Sequence, residues 1–370
     1  MKPPIFFIAA GGTGGHIYPG LALAEALIKQ EPEAQILFVG TPHGLENKIF
    51  GSKGYQVLHL RIGRLNRNVS RIERIKTVLQ LPFSFVTALG LLFKYRPKAV
   101  IGVGGHASGP LLLMASLIQT PSIIWEPNAM PGMANRLLAR HVDLACIVFE
   151  EARAILRAKR FLHSGLPLRR EFEEFASSPV KLAGQVEKLR VLIFGGSQGA
   201  RGINLVVRDY LISHPQAFKE FEFWHQTGPV DFEKIQTSYR ESQLLDKVKV
   251  MPYIEDMISA YDWADVVVAR AGTGTLAELA ALGKASVLIP LPTAADNHQQ
   301  KNAEAFEAEK AAIMILQKDL TAEGFGEILQ RLKTHPQLRE ELAVNSRKFF
   351  KPKAAEKMAS AIRDFLNSPT

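Results

Sequence analysis

Short apolar runs recur along this chain and alternate with longer stretches that have the spacing of amphipathic helices. Runs that are apolar on both faces are typical of buried parallel strands, and their alternation with helices predicts a parallel sheet covered on both sides. The predicted strands of the first half are residues 5–10, 36–39, 57–60, 99–103, 122–125 and 144–149. A first helix is predicted at 21–28, with Pro19 near its start.

The same alternation begins again after a polar and charged connector, residues 169–188. The predicted strands of the second half are residues 189–194, 221–224, 248–251, 265–269, 285–289 and 312–316. We therefore predict an α/β protein of two Rossmann-like domains, 1–166 and 167–345, facing each other across a cleft that would hold the active site. The helical C-terminal segment, 346–370, would either close the second domain or pack back on the first.

Four glycine-rich loops follow predicted strands, at residues 11–15, 102–109, 195–199 and 272–274. A strand, a glycine loop and a helix start form an anion site, because unpaired backbone amides and the positive end of the helix dipole converge there. The loops therefore predict a ligand that carries phosphate. No Gly-x-x-x-x-Gly-Lys-Ser/Thr run is present, which disfavours a P-loop nucleotidase.

The second glycine loop also loosely matches the dinucleotide-binding fingerprint, as Gly102-x-Gly104-x-x-Ala107. Glu126, at the end of the next predicted strand, would then bind the ribose of the cofactor. A nicotinamide- or flavin-dependent oxidoreductase is thus one alternative. Against it, this fingerprint normally opens the first strand-helix-strand unit, whereas here it lies in the middle of a domain.

The fourth loop carries an acidic residue with two possible roles. Thr275 is predicted to be the N-cap of the helix that follows, and Glu278 stands three residues later. The pair forms a Thr-x-x-Glu capping box, in which the carboxylate only satisfies the N-cap amide. Alternatively, Glu278 accepts hydrogen bonds from a ribose diol while the loop amides hold the attached phosphates. The local sequence leaves both roles open.

Composition narrows the class of protein. The chain has 370 residues, of which 47% are hydrophobic and 22% charged, as in ordinary globular proteins, and a formal net charge of +9 that favours anionic ligands or surfaces. Cys146 is the single cysteine and is expected to be a plain buried thiol in a reducing compartment. No uncharged apolar run reaches the ~20 residues of a spanning helix, and the amino terminus lacks a signal-peptide core.

Three side chains are candidates for chemistry on their position alone. His16 directly follows the first glycine loop and could accept a proton from a substrate hydroxyl. Arg169 and Arg270 stand at strand or loop ends, where they could hold a diphosphate without a metal. The alternatives are a solvated histidine and two surface ion-pair partners. No Asp-x-Asp pair and no histidine pair with metal-ligand spacing occurs.

Several motifs together resemble the MurG family of bacterial glycosyltransferases, which convert lipid I to lipid II in peptidoglycan synthesis. They are GGTGGHIYPG at 11–20, GGHASGP at 104–110, GGSQGA at 195–200, YIEDM at 253–257 and the stretch 270–278. The resemblance implies a glycosyltransferase B fold that transfers N-acetylglucosamine from UDP-N-acetylglucosamine to undecaprenyl-diphosphate-N-acetylmuramoyl-pentapeptide, with inversion. It further implies no cofactor, no metal, no nucleic acid, and a peripheral place on the cytoplasmic face of the cell membrane. A UDP-sugar epimerase of the same fold and a non-catalytic nucleotide-binding subunit stay open.

Carried over by position, the resemblance also implies roles for individual residues. His16 would be the general base, with Glu126 a second candidate. Ile254 would meet the uracil through its backbone, and Glu278 would bind the ribose diol. The other residues implied to hold the donor are Thr13, Gly14, Gly15, Asn128, Arg169, Ser197, Thr273, Gly274, Thr275, Leu276, Ala277 and Gln299.

The chain departs from the family pattern at a few positions. The usual His-Glu-Gln-Asn is here Trp125-Glu126-Pro127-Asn128, and Gly-Asn-Pro-Val-Arg is here Gly165-Leu166-Pro167-Leu168-Arg169. The acidic, amide and basic side chains of both motifs are kept. Gly274 replaces a bulkier residue, which keeps backbone contacts and is expected to loosen the sugar pocket.

Residues 61–98 combine basic side chains with many apolar ones. The basic residues are Arg61, Arg64, Arg67, Arg71, Arg74, Lys76, Lys94, Arg96 and Lys98, against the single acid Glu73. Part of the segment is expected to pack on the first sheet. Pro82 is expected to break the helix near Leu81, leaving Phe83 and Phe85 in an exposed apolar patch. Such a patch beside basic residues predicts contact with an anionic membrane surface.

Overall fold

The computed structural model describes residues 3–11, 14–44, 46–63, 71–176 and 184–368. The chain forms two compact units, Met1–Arg169 with Lys351–Thr370, and Arg170–Phe350. They are called unit 1 and unit 2, and each has one parallel sheet within the described ranges.

Unit 1 contains a sheet of seven strands within the described residues. They are β1 Ile5–Ala9, β2 Gln35–Gly40, β3 Gln56–His59, β4 Ala99–Gly102, β5 Ser122–Glu126, β6 Leu144–Ile147 and β7 Phe161–His163. Their order is β3-β2-β1-β4-β5-β6-β7, and all pairs are parallel. The chain reverses its direction across the sheet between β1 and β4, which is where sheets of this kind bind ligands.

Unit 2 contains a second sheet of the same design. Its described strands are β8 Leu189–Phe194, β9 Phe221–Gln226, β10 Val248–Met251, β11 Val266–Ala269, β12 Ala285–Leu288 and β13 Ile313–Met314. The order is β10-β9-β8-β11-β12-β13, again parallel, so the reversal lies between β8 and β11. The predicted strands of both halves are confirmed, with ends that differ by no more than two residues.

Helices connect the strands and cover both sheets. In chain order they are α1 Gly14–Gln30, α2 Glu46–Ser52, α3 Arg71–Tyr95, α4 Ser108–Leu117, α5 Met133–Leu138, α6 Glu151–Ile155, α7 Arg170–Phe175, α8 Arg201–Ser213, α9 Phe232–Glu241, α10 Met257–Trp263, α11 Thr273–Leu282, α12 His298–Ala308, α13 Ala322–Thr334, α14 Pro336–Lys348 and α15 Ala354–Asn367. Short 3-10 turns lie at Pro215–Lys219, Ala295–Asn297 and Gln317–Asp319.

The C-terminal helices divide between the two units. Helices α13 and α14 belong to unit 2, and Leu329 and Leu342 pack in its core. Helix α15 belongs to unit 1, where it lies against α1. There the Gln30 amide donates to the Glu356 carbonyl (3.1 Å) and to the Ser360 hydroxyl (2.9 Å).

Helix α3 runs without interruption through Pro82, so the predicted break near Leu81 is wrong. Proline removes one backbone donor, and the carbonyl that loses its partner belongs to Val78, a residue that is 54% exposed. Water can therefore bond to that carbonyl. Within the described residues, the segment Ile75–Tyr95 of this helix is the one stretch long and apolar enough to cross a membrane by length and composition alone. Ala88 and Leu92 nevertheless pack in the core of unit 1.

Candidate functional site

Two glycine loops meet at the reversal point of unit 2, after β8 and after β11. A Cβ placed on Gly195 would collide with the Cβ of Ala200, and one on Gly199 would collide with the Thr227 carbonyl oxygen. Only glycine fits in so tight a turn. Ser197 lies exposed at the tip of this loop, shortly before α8.

The second of these loops starts helix α11 earlier than predicted. The N-cap is Gly272 and the first helical residue is Thr273, so Thr275 is inside the helix and the predicted capping box is wrong. The first backbone amides of α11, those of Thr273 to Thr275, therefore have no helical acceptor and point to the loop. A Cβ added to Gly274 would meet nothing within 4 Å, so this position borders open space.

Glu278 lies one turn further along α11, and its carboxylate faces a buried tyrosine. The Tyr261 hydroxyl, in a side chain that is 0% exposed, donates to Glu278 Oε2 over 2.9 Å. The Tyr261 ring is itself held edge-on by Phe172 and Phe194. Glu278 is therefore oriented by a side chain of α10 rather than by its own helix start. Leu276 is buried beneath it, and Ala277 is half-buried.

Arg270 is buried at the end of β11, so the alternative of a surface ion pair is wrong for this residue. Its guanidinium donates to the carbonyls of Ile289 (3.0 Å) and Pro290 (3.1 Å) and to Gln317 Oε1 (2.6 Å). Burial lowers the pKa of Arg270 to about 10, so the group stays charged at neutral pH. All three acceptors are neutral oxygens, and the positive charge therefore favours an anion at the neighbouring loops.

Helix α12 supplies amides to the same loops. Gln299 Oε1 accepts from the Leu291 backbone amide (3.0 Å), and its Nε2 would lie 4.0 Å from a Cβ added to Gly272. Asn302 donates to the Ala271 carbonyl over 3.3 Å. Asn302 was not predicted from the sequence, although a buried asparagine in a helix beside a glycine loop is a usable signal.

Ile254 is in the loop that follows β10. Its side chain is buried, whereas the preceding Tyr253 is 55% exposed. A buried side chain fixes the backbone of this loop. Unit 2 thus brings Ser197, Arg270, Thr273 to Glu278 and Gln299 to one edge of its sheet, with Ile254 at the same edge.

The reversal point of unit 1 brings His16 together with the second glycine loop. His16 is the third residue of α1, and its Nδ1 lies 3.2 Å from the Gly11 carbonyl oxygen. A carbonyl can only accept, so Nδ1 carries the proton in this contact and the neutral ring has its lone pair on Nε2. A Cβ added to Gly104 would lie 2.7 Å from Nε2, so the ring packs on the loop backbone.

The predicted donor-binding residues of unit 1 also include Thr13, Gly14, Gly15 and Arg169. Thr13 lies outside the described residues, while Gly14 and Gly15 are the first two residues of α1. Arg169 is exposed at the end of the unit, directly before α7.

Glu126 is 1% exposed and accepts four hydrogen bonds. Oε1 accepts from the backbone and side-chain amides of Asn128 (2.9 and 3.2 Å), and Oε2 accepts from the Gly132 amide and the Asn135 side chain (both 2.9 Å). Burial raises the pKa of Glu126, while these neutral donors partly oppose the shift. A carboxylate has about four acceptor positions. Glu126 therefore organises the loop that carries Asn128.

A second buried carboxylate, Glu46, was not predicted from the sequence. It is 1% exposed, and its Oε1 accepts from the backbone amide and hydroxyl of Thr41 (2.9 and 3.0 Å). A Cβ added to Gly11 would lie 2.8 Å from the same oxygen, so the carboxylate packs directly on the first glycine loop. An acidic residue at the start of a short helix is more typically solvated.

Neither a metal cluster nor a reactive thiol stands out. Among the residues that the structure describes, no three His, Cys, Asp or Glu side chains group closely enough to hold a metal ion. Burial raises the pKa of the Cys146 thiol to about 12, which confirms the prediction of a plain buried cysteine.

Comparisons with known proteins agree with these two units. The family model of the glycosyltransferase family 28 N-terminal domain matches residues 6–147, and that of the C-terminal domain matches residues 190–358. The chain is 42% identical to the UDP-N-acetylglucosamine--N-acetylmuramyl-(pentapeptide) pyrophosphoryl-undecaprenol N-acetylglucosamine transferase of Bdellovibrio bacteriovorus, over 96% of this chain and 97% of the relative. It is 38% identical to the protein of that name from Myxococcus xanthus, over 97% and 92%. The crystal structure of Acinetobacter baumannii MurG matches with a TM-score of 0.79 and 29% identity, over 98% of this chain and 100% of that one.

Proposed function

This chain belongs to the MurG family of glycosyltransferases, and from that premise we propose that it makes lipid II. The reaction is the transfer of N-acetylglucosamine from UDP-N-acetylglucosamine to the 4-hydroxyl of undecaprenyl-diphosphate-N-acetylmuramoyl-pentapeptide. The two parallel sheets are those of a glycosyltransferase B fold.

The donor is assigned to unit 2 because of the buried charges that lie next to the glycine loops. Arg270 is a buried cation beside the loops of unit 2, whereas Glu46 is a buried carboxylate beneath the first loop of unit 1. The buried cation stabilises a diphosphate at the loops of unit 2, whereas a carboxylate supplies no such stabilisation. The UDP moiety therefore binds unit 2, with the ribose on Glu278, the uracil on the Ile254 backbone, and the phosphates on Ser197 and the α11 amides. Gln299 is assigned to the sugar end of the donor.

Unit 1 then supplies the acceptor chemistry. His16 Nε2 takes the proton of the acceptor 4-hydroxyl while its oxygen attacks the anomeric carbon, and the bond from that carbon to the UDP oxygen breaks with inversion. Departing UDP is stabilised by loop amides, the α11 dipole and Arg270. Glu126 is not the base in this scheme, because its four acceptor positions are used by neutral donors. It is a positioning residue for Asn128.

The geometry also weighs against the oxidoreductase alternative. A dinucleotide site on the second glycine loop would need Glu126 to accept from a ribose diol, and its oxygens already accept from Asn128, Gly132 and Asn135. The loop itself packs on His16, whose ring would collide with a Cβ added to Gly104. A cofactor diphosphate would have to displace that ring.

Incubation with labelled UDP-N-acetylglucosamine, with and without a lipid I analogue, tests the proposal. Label in the lipid fraction only when the acceptor is present is the expected result. Epimerised sugar formed without acceptor would support the epimerase alternative. Tight UDP binding with neither product would indicate a nucleotide-binding subunit.

We also propose that helix α3 meets an anionic membrane, where the polyprenyl acceptor resides. The helix has a buried face and an opposite, exposed face. Thr77, Ser84, Ala88 and Leu92 are buried on one of them. Exposed apolar residues recur on the other at intervals of three, four or seven positions. These residues, here called the α3 stripe, are Ile72, Ile75, Leu79, Phe83, Val86 and Phe93.

Basic residues accompany the α3 stripe. At about 100° per residue, Lys76 and Lys94 flank the stripe on the same side, and both are exposed. Each cation near an anionic surface contributes ~1 kcal/mol to binding. Arg64 and Arg67, and the side chains of Arg71, Glu73 and Arg74, lie outside the described residues. Phe85 is half-buried and is not part of the stripe, which corrects the predicted Phe83 and Phe85 pair.

Vesicle sedimentation tests this surface. The protein is expected to sediment with vesicles that contain anionic lipid, and less so at high salt. Phe83→Ser with Val86→Ser should release it without changing UDP affinity, because both side chains are well exposed, at 75% and 72%. The matched control is Val230→Ser with Ile212→Ser, two exposed apolar residues of unit 2. Equal sedimentation of the two double variants would mean that the membrane is met elsewhere.

A further inference from the structure

One side chain bridges two of the loops assigned to the donor. Gln226 is the last residue of β9, the strand between β10 and β8, and it is 3% exposed. Its Nε2 donates to the Gly196 carbonyl over 3.1 Å and to the Pro252 carbonyl over 3.2 Å. Gly196 is in the loop after β8, and Pro252 begins the loop after β10. A single amide group therefore connects the loops on both sides of its own strand.

The backbone that follows Gln226 is fixed against the loop after β8. A Cβ added to Gly228 would collide with the Gln198 carbonyl oxygen, so the two loops touch through their backbones. Asn204 of α8 donates to the Thr227 carbonyl (2.8 Å) and to Asp231 (2.9 Å). Gln226 thus extends from a fixed point, and its amide holds the loop after β10 at a set distance from the loop after β8.

Glutamine is the residue type that this bridge requires. Both partners are carbonyl oxygens, which only accept, and the amide nitrogen offers two protons, one for each. Glutamate at the same position would direct oxygen lone pairs at two carbonyls. Methionine has nearly the same length and offers no donor.

We propose that Gln226 is a positioning residue that sets the spacing between the loop after β10, which holds the uracil, and the loop after β8, which holds the diphosphate. Both ends of one nucleoside diphosphate can then bind at once. The inference rests on the proposed function, in which these loops hold the two ends of the donor. Binding two linked groups to a preorganised pair of sites gains affinity over either group alone. That gain, and not the affinity for either part, depends on the spacing.

The test compares UDP with its parts. UDP affinity is measured by calorimetry, and uridine and inorganic pyrophosphate affinities by ligand-observed NMR, for the wild type, Gln226→Met and Gln226→Glu. Loss of two hydrogen bonds is expected to weaken UDP binding by ~10-fold or more, with uridine and pyrophosphate each within about twofold of wild type. In turnover, KM for the donor should rise more than kcat falls.

A control separates positioning from stability. Leu329→Ala removes a buried side chain of α13, which is expected to lower the melting temperature while leaving the ratio of UDP to uridine affinity unchanged. If Gln226→Met lowers the melting temperature but keeps that ratio within twofold of wild type, the residue is structural only and the proposal is overturned. Should Gln226→Glu fail to fold, Gln226→Met still decides. A wild type that binds no UDP would instead overturn the proposed function, and this inference with it.

Discussion

Replacing Glu278 should weaken UDP binding without dismantling the start of α11. The helix begins at Thr273 with Gly272 as its cap, so Glu278 stands too far along the helix to cap its first turn. The carboxylate instead accepts from the buried Tyr261 hydroxyl, at 2.9 Å from Oε2. Glu278→Ala therefore removes the proposed ribose acceptor and one acceptor of the Tyr261 hydroxyl.

The magnitudes follow from these contacts. Hydrogen bonds to a charged acceptor contribute ~1.5 to 3 kcal/mol, which corresponds to about 10- to 150-fold in UDP affinity. The stability lost through the Tyr261 hydroxyl is about 1 kcal/mol, because Glu278 is half-buried and water can enter its place. In the Tyr261→Phe, Glu278→Ala double variant that loss should largely disappear, since both partners are then apolar. UDP binding should stay as weak as in Glu278→Ala.

Calorimetric UDP titration and thermal unfolding of the four proteins of this cycle provide the assay. Glu278→Gln is the matched control, since it keeps an acceptor for Tyr261 and removes only the charge. A lower melting temperature with UDP affinity within twofold of wild type would refute the reasoning. The carboxylate would then serve Tyr261 and no ligand.

Three further predictions concern the titratable side chains His16, Glu126 and His225. His16→Ala should lower kcat by ~100-fold or more with UDP affinity unchanged, as for loss of a general base; a raised UDP Kd with kcat intact would make His16 a binding residue instead. Glu126→Gln should lower the melting temperature, because an amide NH2 would then face the donors of Gly132 and Asn135, and should affect acceptor KM more than donor KM; unchanged stability would contradict the four-bond description. Burial lowers the pKa of His225 to about 3, below its usual ~6.5, so between these pH values the unfolded chain binds a proton that the folded chain does not. The free energy of unfolding should therefore fall by ~1.4 kcal/mol per pH unit as the pH drops from about 6.5 to 3. His225→Gln should reduce that slope by one proton, and equal slopes in the variant and the wild type would refute the prediction.

The fold was predictable because its signals are local. Runs such as 189–194 and 248–251 match the observed strands at both ends. The helix break predicted at Pro82 was wrong because the cost of a proline in a helix depends on the surroundings of the carbonyl that loses its hydrogen-bond partner. That carbonyl belongs to Val78, which is exposed, so water can bond to it.

The site was less predictable because its parts are joined by long-range contacts. The sequence placed Glu278 in a possible capping box, but the observed N-cap is Gly272 instead of Thr275, three residues earlier. The contact of Glu278 with Tyr261 reaches another helix. Gln226 is an ordinary strand residue in the sequence. Its bridging position follows from the strand order, which places Gln226 between the loops of Gly196 and Pro252.

The glycine loops illustrate the difference most directly. In the sequence, residues 11–15 and 195–199 have the same logic, and both predict an anion site. The proposed choice between them rests on the charge behind each loop. That charge is supplied from distant positions in the chain, by the Glu46 carboxylate against Gly11 and by the Arg270 guanidinium beside the loops of unit 2. In the proposed function, the buried guanidinium outweighs the similarity of the loops, because a buried charge acts through a low dielectric. In the proposed function, loops of one pattern therefore take a sugar hydroxyl in one unit and a diphosphate in the other.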